Sequence, residues 1–501
     1  MAHVSRAQGK KVIPLSSRPV SFYALAILAS FVGFLRAAFE YQFFGAGFSV
    51  HVGWSMPFFY FSIGVVLLVI LRFIVQLDWR RCFGAVAIGI SLGILPPLID
   101  LGLSGFGSRV VYSYNFIADL QVYPWLFYRA DGIPAGECAS LWLSVVLTGV
   151  YSFLASRNTI RSLAAAAALY LTFHLYLSGI PIATAWMVMG RLPDATTAAG
   201  SEGHIVNAVT YFFPFWYAGM SLTGYWALKP YLLRLFLRRV LHILPFTFIS
   251  LLGAAITNQP ETESFLNAAC LSLIFYVAAI ENDYFDSKFE QSKSPVNRQD
   301  IAILRVIAVM IISWLLLLGQ MIGFLYLLIY FAAALYHMPD YRARRYFAAG
   351  MKIEGVWGWL AFVSGYSIRL PKTLNPEIVV YGFLVFLGWS LISVFKDLKD
   401  LRKDKRSGSQ SIYLYLRSKG LSISSTHRVL MIFVFVVLLA PSVFYFIRHS
   451  LIAAALLALF NVLILVINSR RVLFWKFYLH LGVISCYIGT MVIWFRPLVI
   501  H

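Results

Sequence analysis

The chain has 501 residues, of which 60% are hydrophobic, 17% aromatic and only 12% charged. Apolar runs of about 20 residues recur from end to end, which is typical of transmembrane helices and argues against a soluble globular protein. The formal net charge of +20 comes from 41 Lys and Arg residues against 21 Asp and Glu residues. Because the basic residues lie in short clusters between apolar runs, the positive-inside rule accounts for them, and no nucleic-acid partner is predicted.

The cysteines and the amino terminus narrow the class further. Four cysteines lie far apart, at positions 82, 138, 270 and 486, without the paired spacing that a zinc site or a disulfide framework requires. They are interpreted as packed helix residues. The basic segment 1–20 leads into a long apolar run without a small-residue cleavage signal, so it is interpreted as an uncleaved cytoplasmic tail.

Hydropathy predicts six membrane-spanning helices followed by nine more. The first six are expected at 21–43, 55–77, 82–104, 138–156, 163–189 and 205–228. The other nine follow a basic stretch at 227–240 and are expected at 240–257, 264–285, 301–319, 321–337, 353–370, 377–395, 426–446, 450–468 and 475–496. The prediction is an all-α, polytopic membrane protein of about 15 helices, with domains at 1–230 and 231–501.

Loop charge predicts the orientation. With a cytoplasmic amino terminus, one side of the membrane receives the loops that hold most of the Lys and Arg residues: 79–81, 157–161, 229–239, 288–298, 342–352, 396–418 and 469–476. Because the number of helices in the first set is even, the loops rich in Lys and Arg lie on the cytoplasmic side in both halves. Segment 105–137 resists assignment, because it is aromatic and partly apolar yet carries Asp119, Arg129 and Asp131, as an interfacial or re-entrant element on the outer side would.

Two short acidic patterns stand out in a chain that is poor in carboxylates. They contain Asp283, Asp286 and Glu290 in "NDYFDSKFE", and Asp397, Asp400 and Asp404 in "KDLKDLRKD". On a helix, each spacing of i, i+3 and i+7 forms an acidic stripe along one face. Both stripes follow the predicted cytoplasmic end of a helix, so the two groups of carboxylates could face each other across one cavity.

The charge and ligand type of these stripes indicate a metal-bound anion. So many like charges beside a low-dielectric region would repel one another without cations. Oxygen ligands without neighbouring Cys or His favour a hard cation, and Mg²⁺ commonly bridges carboxylates to substrate phosphates. Lys293, Arg298 and Lys396 lie beside the stripes and could hold further phosphate oxygens, although ordinary positive-inside charge explains each of them equally well.

The two motifs resemble those of the UbiA superfamily of intramembrane prenyltransferases, which have an NDxxDxxxD motif after the second helix and a KDxxDxxxD-type motif after the sixth. The resemblance covers about 235–501. It extends weakly to "YHMPDYRARR", which contains Tyr336 and Arg342, and to "GSQSIYLYL" at 408–416. Two departures are that Glu290 replaces the third Asp of the first motif, and that Lys403 replaces a Gly that often precedes the last Asp of the second.

This resemblance implies nine helices around a central cavity in which the motifs bind Mg²⁺ and a prenyl diphosphate, with the isoprenoid tail in an apolar tunnel. The implied metal ligands are Asp283, Asp286, Glu290, Asp397, Asp400 and Asp404, of which Asp283, Asp286, Asp397 and Asp400 are the implied catalytic residues. The implied diphosphate contacts are Asn282, Lys293, Arg298, Lys396, Tyr336 and Arg342.

The implied activity is Mg²⁺-dependent transfer of an isoprenyl group to an aromatic or other lipophilic acceptor, with release of pyrophosphate. The motifs also serve terpene cyclases and polyprenyl-phosphate phosphoribosyl transferases, so they do not name the acceptor. A transporter is the alternative of another class, and it predicts charged residues near helix midpoints rather than at helix ends. The expected location is the bacterial inner membrane, with the active-site loops cytoplasmic.

Several ionisable residues of the first half lie within or near its apolar segments. Among them are Arg36, Glu40, Asp100 and His174, and each is interpreted as a locally paired structural residue or a helix-end anchor. We expect the first half to be an accessory membrane domain that docks on the second.

Overall fold

The fold was analysed in a computed structural model that describes residues 22–44, 50–104, 135–180, 183–184, 213–257, 261–289, 296–318, 320–337, 349–367, 376–407, 411–447, 450–468 and 474–495. Every regular element in these ranges is a helix and none is a strand, which confirms the predicted all-α class. Segment 105–134, which contains most of the stretch that resisted assignment, lies outside them.

The first half contributes seven helices to the described ranges. They are α1 Phe22–Phe44, α2 Val50–Ile70, α3 Trp79–Ser91, α4 Leu95–Ser104, α5 Ala135–Ser156, α6 Thr159–His174 and α7 213–228. The predicted span at 82–104 is two helices, α3 and α4, joined by a 3₁₀ turn at Leu92–Ile94. Pro96 and Pro97 lie in the first turn of α4, where the missing N–H groups leave no helical hydrogen bond unmade.

The second half contributes ten helices. They are α8 Pro230–Ile256, α9 Glu261–Phe289, α10 Arg298–Leu318, α11 Gln320–His337, α12 Ala349–Tyr366, α13 Pro376–Ser407, α14 Ile412–Ser418, α15 Ile423–Ile447, α16 Leu451–Asn468 and α17 Phe474–Phe495. The helix predicted to begin at 240 begins at Pro230, so most of the basic stretch 227–240 forms the first turns of α8. Pro230 occupies the first helical position, which suits proline, and the Leu and Arg residues that follow are strong helix formers.

Nine helical segments in the described part of the chain are long and apolar enough to cross a membrane, with α3 and α4 together counted as one of them. Four shorter apolar helices accompany them. The protein is therefore an integral, multi-pass membrane protein. The count of 15 spans stays a prediction. A helix nevertheless lies at each of the predicted positions, so the hydrophobic runs were read in the right places.

The helices of the second half form a closed bundle. Packing runs from α8 to α9, α11, α12, α13, α15, α16 and α17, and α17 returns to α8, so the first and last helices of this half are neighbours. Helix α10 lies against α9 and α11 and also contacts α1 and α2 of the first half. This closure leaves an interior space to which several helices can contribute side chains.

Glycines bring α8 and α12 into very close contact. A Cβ atom on Gly253 would overlap the carbonyl oxygen of Phe362, and a Cβ atom on Gly365 would overlap that of Ser250. Small residues at such crossings let two helix backbones approach closely in a membrane, where packing replaces the hydrophobic effect as the driving force. Since α8 and α12 both line the cavity described below, this contact fixes two of its walls.

We expect Gly365→Ala to lower the free energy of unfolding by about 1–3 kcal/mol, because the added methyl group must push α8 and α12 apart. Denaturant unfolding in detergent, followed by circular dichroism, measures the change. Gly482→Ala in α17 is the matched control, since no heavy atom lies within 4 Å of its added Cβ. Equal stability of the two variants would contradict the close helix contact.

A buried carboxylate joins the two halves. Asp300, at the start of α10, accepts hydrogen bonds from the hydroxyl of Tyr225 in α7 at 2.5 Å and from the hydroxyl of Tyr231 in α8. The backbone N–H of Asn297 donates to the same carboxylate at 2.8 Å. Asp300 is fully buried. Hydrogen bonds to a buried charge are among the stronger ones in proteins, so this cluster anchors the junction of the predicted domains.

Candidate active site

A cavity of about 110 Å³ lies inside the bundle of the second half. Its polar lining residues are Arg239 and His242 from α8, Asn282 from α9, Tyr336 from α11, Glu354 from α12, Ser393 from α13 and His480 from α17. Six helices therefore contribute polar side chains to one space in the described part of the chain. Apolar and aromatic side chains form the rest of the wall.

Asp283 of the first acidic motif is held by Arg239. The guanidinium donates through Nε to Asp283 Oδ2 at 3.2 Å and through Nη2 to Oδ1, which is the bidentate geometry that arginine and carboxylate groups favour. About a quarter of each side chain is exposed, and Arg239 lines the cavity whereas Asp283 is not among its lining residues. Arg239 is thus a positive charge placed directly beside the first motif.

Asn282 supplies a second oxygen at the same place. Its Nδ2 donates to Asp286 Oδ2 at 3.4 Å, whereas its Oδ1 is buried and accepts no hydrogen bond from the described residues. An amide oxygen in that condition can accept a donor or coordinate a cation. The first motif therefore presents the oxygens of Asn282, Asp283 and Asp286 within about one turn of α9.

Glu281, the residue before this group, has a structural role. Its buried carboxylate accepts from Arg305 Nε at 2.5 Å and from the Tyr330 hydroxyl at 2.9 Å. Successive helical residues differ by about 100° in direction, so Glu281 faces α10 and α11 while Asn282 faces the cavity. Glu281 therefore stabilises helix packing, whereas the adjacent Asn282 belongs to the candidate site.

The second motif continues a helix that also lines the cavity. Ile392 and Ser393 of α13 form part of its wall, and α13 remains helical through Ser407. Asp397 lies one turn, or about 6 Å, beyond Ser393. The predicted helical spacing of Asp397, Asp400 and Asp404 is confirmed for the backbone, whereas their side chains and that of Lys396 lie outside what the structure describes.

The remaining predicted residues divide into three groups. Tyr336 lines the cavity, and its ring packs 5.4 Å from that of Trp357. Arg298 is exposed at the first residue of α10. Glu290, Lys293 and Arg342 lie outside the described residues.

An aromatic wall closes the inner side of the cavity. The rings of Phe246 and Phe275 stack with centroids 4.1 Å apart. Trp389 lies 4.8 Å from Phe246, and Trp357 lies 6.0 Å from Phe275. Aromatic faces carry partial negative charge and attract a nearby cation, so this wall is suited to a positively charged reaction centre.

A larger apolar cavity of about 210 Å³ adjoins the first. Trp389 and Ile392 line both spaces. Its other walls come largely from aliphatic and aromatic residues of α8, α13, α15 and α17. A molecule with a polar head and a long hydrocarbon tail could therefore place its head near Asn282 and its tail in the second cavity.

The donor atoms of the first motif fit a hard cation. Carboxylate and amide oxygens are the ligands that Mg²⁺ prefers, and Asn282, Asp283 and Asp286 supply them from one helix. No group of three or more His, Cys, Asp or Glu residues forms a metal cluster among the described side chains. The carboxylates of α13 are outside that set, so a complete site would combine the first motif with the second.

Comparisons with known proteins give one consistent similarity. No family model and no curated protein matches the sequence. The fold is similar to that of a UbiA homologue from Archaeoglobus fulgidus solved with Cd²⁺, with a TM-score of 0.41, 12% identity, and 52% of this chain and 97% of that chain covered. The structure with GPP and Mg²⁺ gives a TM-score of 0.41, 13% identity and coverages of 52% and 99%. The structure with DMAPP and Mg²⁺ gives a TM-score of 0.38 and 14% identity, with 52% of this chain and 98% of that chain covered. These are structures of the family whose motifs the sequence resembles.

Sequence reasoning missed several polar residues of the cavity. Arg239 was attributed to positive-inside charge in the loop predicted at 229–239, and Ser393 carries no local signal. His242, Glu354 and His480 did carry one, because an ionisable side chain inside an apolar run, such as Glu354 in "IEGVWGWLAF", is costly in a membrane and indicates a functional or pairing role.

Proposed function

We propose that this protein is a Mg²⁺-dependent intramembrane prenyltransferase, which transfers an isoprenyl group from a prenyl diphosphate to a lipophilic acceptor and releases pyrophosphate. The observation that carries the proposal is the junction of the first acidic motif with an aromatic-walled cavity. Asn282 opens into that cavity, and Phe246, Phe275 and Trp357 form its inner wall. An acidic motif beside an aromatic-walled cavity suits a reaction in which positive and negative charge separate away from water.

The oxygen atoms of Asn282, Asp283 and Asp286, with Asp397 and Asp400 of the second motif, would hold Mg²⁺. When bound, the metal neutralises negative charge on the departing pyrophosphate. Arg239 could also donate to diphosphate oxygens, because its contact with Asp283 uses Nε and Nη2 and leaves the N–H groups of Nη1. The diphosphate head is in this way bound at the mouth of the cavity.

The reaction proposed is cleavage of the bond between the first prenyl carbon and the diphosphate oxygen. The allylic carbocation so formed lies against the aromatic wall, which stabilises positive charge and excludes water. The acceptor attacks that carbon, forms the new bond and loses a proton to the released pyrophosphate. The apolar cavity behind Trp389 and Ile392 holds the isoprenoid tail during these steps.

Trp357 provides a test of cation stabilisation. We expect Trp357→Leu to lower kcat about tenfold with little change in the KM for the prenyl diphosphate, because a cation over an aromatic face is worth about 1–2 kcal/mol in a desolvated site. Trp357→Phe should retain most of the activity. Trp359→Leu is the matched control, since Trp359 lies on the same helix, is 43% exposed and does not line the cavity. An equal loss of kcat in Trp357→Leu and Trp359→Leu would argue against a cationic transition state at this wall.

The activity itself is tested by incubating the purified protein with Mg²⁺, prenyl diphosphates of different lengths and a membrane extract, and identifying products by mass. A prenylated product with equimolar pyrophosphate supports transfer. Pyrophosphate release without an acceptor would instead establish a cyclase, and transfer of a phosphoribosyl group would establish the third activity that such motifs serve. Vesicle flux of a solute without any product would establish a transporter.

We further propose that 231–501 carries the catalytic site and that 1–230 is an accessory membrane domain docked through Asp300, Tyr225 and the contacts of α1 and α2 with α10. We also propose that the catalytic end of the bundle faces the cytoplasm, which the basic loops favour, and that the membrane is a bacterial inner membrane. Expression of 230–501 alone tests the division, because undiminished turnover would show that the first half is dispensable for the chemistry.

A further inference from the structure

A cavity larger than the two described above lies in the first half, which the proposed chemistry does not use. It has a volume of about 360 Å³, within the range of about 300–1,000 Å³ typical of ligand pockets. Side chains of α1, α2, α3, α5 and α6 line it, together with the turn between α3 and α4. Most of the wall is aliphatic. Arg36, Tyr60, Glu137 and Ser140 form its polar end, and Ser144, Thr148 and Tyr151 continue along α5 toward the other end.

The polar end is organised around Arg36. Its Nε donates to Glu40 at 2.6 Å, its Nη1 to the Tyr60 hydroxyl at 2.8 Å, and its Nη2 to Glu137 at 3.2 Å. The Tyr60 hydroxyl in turn donates to the carbonyl oxygen of Gly93 at 3.0 Å. One guanidinium is therefore in contact with two carboxylates, and an anionic headgroup placed here would meet those carboxylates before it met a free positive charge.

Ser140 points to a ligand that forms hydrogen bonds. Its side chain lines the cavity, the residue is only 6% exposed, and its hydroxyl has no hydrogen-bond partner among the described residues. A buried hydroxyl without a partner costs about 1–3 kcal/mol, so such groups normally have one. Ser144, one turn further along α5, differs because it donates to the carbonyl oxygen of Ser140. The hydroxyl of Ser140 and the carboxylate of Glu137 together suit a ligand group that both accepts and donates hydrogen bonds.

The cavity is reached from the side of the bundle. Ile88 of α3 and Leu154 of α5 both line it, yet they are 66% and 56% exposed on the outer surface of the helices. Exposed apolar residues on transmembrane helices face lipid. A membrane-dissolved molecule could therefore enter laterally between α3 and α5.

We propose that this cavity binds an uncharged, hydroxyl-bearing lipid, with its hydroxyl between Ser140 and Glu137 and its hydrocarbon chain along the aliphatic wall. The carboxylates in contact with Arg36 select against an anionic head. Ser140, whose hydroxyl has no partner in the described part of the chain, selects for a head that forms hydrogen bonds. The site is separate from the catalytic cavity, and its occupation does not depend on the activity proposed above.

The two cavities have their polar ends toward opposite faces of the membrane. The ring of Phe22, at the start of α1, lies 5.2 Å from that of Tyr225, which binds Asp300 close to the end of α9 that carries the first motif. Arg36 lies fourteen residues further along α1, or about 21 Å. The lipid proposed here therefore has its head at the face opposite the diphosphate site.

Photolabelling of the full chain in nanodiscs tests the proposal without any turnover. The probe is a photoreactive analogue of farnesol, and labelled peptides are identified by mass spectrometry. We expect labelling within 79–91 and 135–156 that excess farnesol removes. Farnesyl diphosphate should compete at least tenfold less well, because its head is anionic. Equal competition by farnesyl diphosphate, or by a saturated hydrocarbon without a hydroxyl, would overturn the proposal.

Ser140→Ala should weaken labelling of these segments about fivefold, since one hydrogen bond to the ligand is lost. Ser152→Ala is the matched control, because Ser152 is a buried serine of the same helix that likewise lacks a described partner but does not line the cavity. Equal labelling of the two variants would show that Ser140 does not bind the ligand. Thr148→Trp, which fills the cavity, should abolish labelling, and retained labelling would place the probe elsewhere.

Discussion

Asp283→Asn is expected to lower kcat/KM for the prenyl diphosphate about 10³-fold, which is the largest effect of any single change proposed for this protein. The substitution keeps the shape of the side chain but removes the negative charge that would bind the metal, and the developing charge on pyrophosphate then lacks its main stabilisation. Continuous measurement of pyrophosphate release, at several Mg²⁺ concentrations, gives the change. Partial recovery at high Mg²⁺ is expected, because a weakened metal site fills at a higher concentration.

The fold should survive this substitution. Asp283 is a quarter exposed and its partner Arg239 reaches solvent, so neither is left as a buried, unpaired charge. Glu263→Gln is the matched control, because Glu263 lies on the same helix at its opposite end, about 30 Å from Asp283. An Asp283→Asn protein with normal turnover would refute the metal assignment, whereas equal losses in both variants would indicate damage to α9 instead.

Helix positions could be predicted because a hydrocarbon layer demands about 20 apolar residues, which is a local property of the sequence. Helix ends could not, because hydropathy reports only the part inside the hydrocarbon. α8, α9 and α13 all continue into polar sequence, where Arg, Lys and Glu are good helix formers and nothing breaks the hydrogen-bond pattern. The ends of α9 and α13 matter most, since they carry Asp283, Asp286 and the three carboxylates of the second motif on helical backbone.

The acidic motifs could be recognised for the same local reason, since their spacing along one helix is visible in the sequence. The rest of the site could not, because Arg239, Glu354 and His480 come from three helices that only the closed bundle brings together. The motif pattern separated Asp283 from Glu281, but it did not predict their partners. The two residues are two positions apart, yet Glu281 faces Arg305 and Asp283 faces Arg239.

Arg239→Gln distinguishes two roles for the charge beside the first motif. If Arg239 binds the diphosphate, as we propose, the KM for the prenyl diphosphate should rise about tenfold to a hundredfold, since hydrogen bonds between charged groups contribute about 1.5–3 kcal/mol. If Arg239 only neutralises Asp283, removing it should strengthen Mg²⁺ binding and leave that KM unchanged. Titrations of Mg²⁺ and of prenyl diphosphate, each at a saturating level of the other, separate these outcomes.

Two further variants sharpen this test. Arg239→Lys retains the charge but not the planar fork, so its KM should fall between those of the unmodified protein and Arg239→Gln. Arg238→Gln is the matched control. Arg238 directly precedes Arg239 in α8, is exposed and does not line the cavity. Adjacent residues on a helix differ by about 100° in direction, so only Arg239 can reach Asp283. A KM increase shared by Arg238→Gln would show that general positive charge at this membrane face, rather than the pair with Asp283, attracts the diphosphate.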